Sequence, residues 1–108
     1  MTALHDFSTA SVTPLVELVV AEDVDDCSAA RLRDRLEDAL RMRPVRLVVD
    51  LSRCAVFDVS GLRVLLEMHC EVMRGGGRLV LRAPTARVLQ VIELSGLQGV
   101  FAVEDARR

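Results

Sequence analysis

The residues best placed to do chemistry are Asp58-Val59-Ser60-Gly61-Leu62, a short acidic and hydroxyl-bearing stretch that leads into an apolar pattern of helical spacing. A serine there is a hydrogen-bonding group, a candidate nucleophile or a candidate acceptor of a phosphoryl group. Nucleophilic catalysis needs a base within reach and a group to orient that base. His69 follows nine residues later on the same helical pattern, about 180° around and about 13 Å along the axis. His5 lies in an unpatterned N-terminus, and Asp58 stands where a Gly-x-Ser-x-Gly elbow has its first glycine. The chain therefore reads as a binding protein, not an enzyme.

A serine that opens a helix is normally its N-cap, and Ser60 is expected to cap the helix it precedes. The amides and dipole of a helix N-terminus also stabilise an added phosphate by roughly 0.3 to 1 kcal/mol, so capping and phosphorylation are compatible at one residue. A second loop, Glu22 to Ser28, likewise combines carboxylates with a hydroxyl. Cys27, Cys54 and Cys70 are an odd, widely spaced set with no Cys-x-x-Cys pair, which argues against a disulfide framework and a zinc site. Gly75-Gly76-Gly77 follows a helix and precedes a strand, the reverse of a phosphate-binding loop. No cofactor and no metal are expected.

These loops need a scaffold. Leu15 to Val20 reads as a largely buried strand, with Phe7 to Val12 a weaker edge strand before it. Ser28 is expected to cap a helix reaching about Arg43, ended by Pro44. Arg46 to Leu51 has a continuous apolar centre, the pattern of a strand covered on both faces. A helix from Ser60 runs to the three glycines, and Leu79 to Leu81 forms a strand. Pro84 sits at the start of a third helix that ends at Gly96, and Val100 to Val103 is a final strand. The expected fold is α/β: a mixed, mainly parallel sheet of about four to five strands with three main helices, and a C-terminal helix short or absent.

Composition narrows the class. A length of 108 residues with 51% apolar content supports one core, so residues 1–108 are read as one domain with its core from about 15 to 103. All fourteen cationic side chains are arginines interspersed with acids, the net charge is −2, and Trp and Tyr are absent, so no nucleic-acid partner is expected. No apolar run approaches the roughly 20 residues of a membrane span, and the N-terminus lacks the pattern of a secretory signal. Neither membrane insertion nor export is expected; the localisation read from this is cytoplasmic.

The chain resembles the STAS domain family, and in particular bacterial anti-sigma factor antagonists, from about Leu15 to Val103. Val48-Val49-Asp50-Leu51, Phe57-Asp58-Val59-Ser60-Gly61-Leu62, Gly76-Gly77 before a strand, and Leu94-Ser95-Gly96-Leu97 occur in the family's order. The resemblance implies an antagonist that binds an anti-sigma factor kinase while unphosphorylated, frees a sigma factor in a stress response, and is switched off by phosphorylation. The usual phosphoacceptor, the second serine of Asp-Ser-Ser-Gly-Leu, falls on Ser60. The partner-binding set implied is Asp25, Ser28, Asp58, Val59, Ser60, Gly61 and Leu62. The partners implied are an anti-sigma serine kinase of histidine-kinase-like ATPase fold and a serine phosphatase. Three positions depart from the family pattern: Val59 replaces the first motif serine, Glu22 replaces a glycine before the acidic loop, and the C-terminal helix is reduced at most to Glu104-Asp105-Ala106-Arg107-Arg108. Two alternatives remain: a phosphorylation-independent STAS scaffold or lipid-transport complex subunit, and a small nucleotide- or anion-binding domain.

Overall fold

The apolar runs become strands and the amphipathic stretches become helices in a computed structural model that describes residues 13–105. The order is β1 (Thr13–Val19), α1 (Ala29–Leu40), β2 (Pro44–Asp50), α2 (Val59–Arg74), β3 (Arg78–Arg82), α3 (Ala86–Leu94) and β4 (Ala102–Glu104). The strands lie side by side in chain order and every pair is parallel, with Thr13 opposite Pro44, Arg46 opposite Arg78 and Val80 opposite Ala102. The expected strand Phe7 to Val12, and with it the mixed edge, falls outside the described residues. Among the described residues no helix follows β4.

Several boundaries differ from the expectation, each for a local reason. Helix α1 stops at Leu40, three residues short, and Arg43 enters β2 with φ +53°, because a residue before proline is disfavoured in the helical region. Pro44 is thus the first residue of β2. Thr85, not Pro84, caps α3: its Oγ1 accepts from the Val88 amide at 3.3 Å and donates to the Cys54 carbonyl at 3.1 Å. Gly96, at φ +74°, closes that helix with its amide on the Glu93 carbonyl and that of Leu97 on Ile92. Gly77 is required by proximity, since a Cβ there would lie 2.4 Å from the Pro44 carbonyl oxygen.

Chain-order parallel strands joined by right-handed crossovers put every connecting helix on the same face of the sheet. The core accordingly gathers Leu32 and Leu36 of α1, Leu65 and Met68 of α2, and Val88 and Ile92 of α3 against Leu47, Val49, Leu79 and Leu81. The expected burial of β2 on both faces holds, but the helices lie on one face only. Val48 and Val80, on the opposite face, are 0% and 4% exposed yet lie outside that core. Ion pairs link the strands: Arg82 reaches Glu17 at 3.1 Å and Glu104 at 2.8 Å, and Arg46 reaches Glu104 at 2.7 Å.

The Arg82 hydrogen bond holds the Glu104 carboxyl below its ordinary value of 4.5. A depressed folded-state value stabilises the fold above the unfolded value, and that contribution is lost as pH falls through the folded one. Glu104→Gln is therefore expected to cost stability at pH 7, with the gap to wild type closing below about pH 4. Urea unfolding of both proteins across that range checks it; a gap that does not shrink would contradict the pairing.

Candidate functional site

The two loops singled out by sequence leave the carboxyl ends of β1 and β2, the edge at which open α/β sheets bind ligands and partners. They are bonded to each other. The Val24 amide donates to the Val56 carbonyl at 2.8 Å, and the Asp58 amide donates back to the Val24 carbonyl at 3.1 Å. Val24 and Phe57, both fully buried, form the intervening parallel bridge. Gly61 then lets α2 start against this seam, because a Cβ at that position would sit 2.5 Å from Val24 Cγ1 and 2.7 Å from the Phe57 ring.

Within the first loop, Asp25 and Ser28 fasten a turn. Asp25 Oδ1 accepts from the amides of Cys27 at 3.0 Å and Ser28 at 3.1 Å, while Ser28 Oγ accepts from the Asp25 amide at 2.9 Å and donates to the Asp23 carbonyl at 2.9 Å. Ser28 is buried and, contrary to expectation, its side chain makes no capping bond to α1. Its hydroxyl is already committed to the residues before it, as short polar side chains in turns often are.

The cap of α2 is also not the residue expected. Asp58 occupies that position, in extended backbone, with Oδ1 accepting from the Ser60 amide at 2.8 Å; the Asp58 carbonyl takes the amides of Gly61 and Leu62 at 3.1 and 3.2 Å. Ser60 is therefore inside the first turn and has no capping duty. Its half-buried side chain donates from Oγ to the carboxylate of Asp26. With these three amides engaged, an added phosphate would gain from the helix dipole but find fewer open donors than a bare helix N-terminus offers.

Of the seven residues assigned to a partner face, Val59 is 56% exposed. Asp25, Asp58 and Ser60 are half-buried. Gly61, Leu62 and Ser28 are buried, and contribute by setting the spacing and shape of the loops. Asp26 had not been singled out. The acidic pair Asp25-Asp26 was visible, but its neighbour across the seam, 34 residues away, was not.

The remaining reactive groups stand apart from this arrangement. Burial pushes the Cys54 thiol up, with the acids Asp23 and Glu22 adding to the effect, so it is a poor nucleophile at neutral pH. His69 packs edge-on against Phe101, ring centroids 5.5 Å apart. Both line the rim of a cavity of about 830 Å³ at the opposite, amino-terminal end of the strands. No group of three or more His, Cys, Asp or Glu able to hold a metal occurs among the described residues, and no helix there is long and apolar enough to cross a membrane.

The family model described as "Mlab, STAS domain" matches residues 7–104. The anti-sigma-B factor antagonists of Listeria monocytogenes serovar 1/2a and Listeria innocua serovar 6a are each 23% identical over 93 residues, 86% of this chain and 82% of theirs. Among solved structures, the anti-sigma factor antagonist SpoIIAA in its unphosphorylated form aligns with a TM-score of 0.73 at 23% identity, over 88% of this chain and 82% of that one. The Bacillus cell fate determinant SpoIIAA in its phosphorylated form gives 0.63 at 22% identity, over 87% and 82%. With a family match that spans nearly the whole chain and a fold shared with these structures, the chain belongs to the STAS domain family.

Proposed function

We propose that this protein is an anti-sigma factor antagonist that binds an anti-sigma factor serine kinase through the two joined loops and is switched off by phosphorylation of Ser60. The observation that carries the reading is the position of the Ser60 hydroxyl. It is the only hydroxyl in its motif, lies on the first turn of a helix already capped by Asp58, and is held toward solvent among carboxylates. The names of the Listeria relatives and of SpoIIAA support the role. Val59, Ser60, Asp58 and Asp25 form the contact face, shaped from beneath by Gly61, Leu62 and Ser28. The kinase has a histidine-kinase-like ATPase fold, a serine phosphatase resets the switch, and the exchange of partners takes place in the cytoplasm without catalysis by this chain.

Engagement of the Ser60, Gly61 and Leu62 amides by Asp58 weakens the alternative of a nucleotide or anion at this helix N-terminus. Incubation of the protein with the anti-sigma kinase and ATP, followed by mass spectrometry, is expected to place one phosphate on wild type and none on Ser60→Ala. Unmodified wild type under conditions in which the kinase hydrolyses ATP would overturn the reading and favour a phosphorylation-independent scaffold or lipid-transport subunit.

A further inference from the structure

Asp26 is an exposed residue of the first loop whose carboxylate accepts the Ser60 hydroxyl proton across the seam. While Ser60 is unmodified, that bond engages one oxygen of the carboxylate and costs the pair nothing in charge repulsion. Phosphoryl transfer forms an Oγ–P bond, breaks the bond from the γ-phosphorus to the bridging oxygen of ADP, and releases the hydroxyl proton. Oγ then has nothing to donate, and a group of about −1.5 to −2 charge stands beside an ionised carboxylate. The backbone offers Asp26 little retreat, because the Asp25 carboxylate fastens the following amides and Val24 is locked under Gly61.

We propose that Asp26 amplifies the switch: it is a specificity-determining residue that accepts a hydrogen bond from Ser60 while Ser60 is unmodified and, once Ser60 is phosphorylated, stands with its charge beside the phosphate on the face presented to the partner. This rests on the reading of Ser60 as the phosphoacceptor. Asp58 caps the same turn, Asp25, Asp23 and Glu22 belong to the same first loop as Asp26, Arg31 lies beside Glu22 at 3.9 Å, and Arg63 is one turn further along α2. Asp26 differs from these neighbours in being bonded directly to Oγ.

The test needs no kinase, so its outcome is separate from that of the proposed function. Phosphoserine is installed at position 60 during synthesis, in the wild-type background and in Asp26→Asn, and the second ionisation of the phosphate is followed by phosphorus NMR. A neighbouring carboxylate disfavours the dianion. With Asp26 present the second dissociation constant is expected to be about tenfold weaker than with asparagine, one pH unit in the titration. Asparagine retains an oxygen that can accept from the unmodified hydroxyl, so unmodified Asp26→Asn is expected to unfold as wild type does. The same titration midpoint in both phosphorylated proteins would overturn the proposal, since a residue that only supports the fold would leave the phosphate's ionisation unmoved.

Discussion

Phe57→Ala is expected to lower the unfolding free energy by about 3–5 kcal/mol, a large part of the roughly 5–15 kcal/mol available to a domain of this size. The ring is fully buried and is among the largest side chains in the protein that are. It occupies the seam itself: the carbonyl before it and the amide after it bond to Val24, and the first turn of α2 rests on its edge at Gly61. Truncation removes the apolar contacts and leaves a void that cannot collapse without moving α2. Urea unfolding should show a lower midpoint with an unchanged slope. A loss below about 1 kcal/mol would mean that the loops close over the gap and that Phe57 does not set their spacing.

Ser60→Asp is expected to weaken binding to the anti-sigma kinase about a hundredfold, whereas Ser60→Ala should stay within a few-fold of wild type. One unit of charge held roughly 6 Å from a partner carboxylate at an effective dielectric near 20 costs on the order of 3 kcal/mol. That corresponds to about two decades of affinity. Aspartate carries less charge than a phosphate, so this is the smaller of the two penalties. Alanine frees Asp26 from its bond but leaves it in solvent, where an unpaired carboxylate costs little. Calorimetry with the three proteins decides the matter, and equal affinity for all of them would sink the switch.

Local pattern carried the architecture. The alternation of apolar runs with helical stripes was enough to place seven elements in order, because each strand and helix is announced by residues within its own span. What escaped depends on partners distant in sequence. The apolar centre of β2 announced burial on both faces but not what lies on each; on the outer face, beside the fully buried Val48, Arg46, Arg82, Glu17 and Glu104 from four strands pair with one another. Ser28 and Ser60 both have the residue type of a cap. Which hydroxyl caps was decided by neighbours that compete for it: Asp23 and Asp25 claim Ser28, and Asp58 supplants Ser60. Ser60 was legible as the candidate site, but its acceptor Asp26 was not, since no short-range rule links positions on separate crossovers.

The joining of the two loops across 34 residues also bears on how the protein comes to be made. A chain still emerging from the ribosome, or one clipped before β2, would possess the acidic turn but neither Ser60 nor the Val56–Asp58 segment that bonds to Val24. The closing of these long parallel connections is among the slower steps of folding. Recognition would then appear all at once, when β2 is seated and α2 docks on Val24. Nascent and damaged copies could not sequester the partner, so the regulatory dose would be set by finished molecules alone.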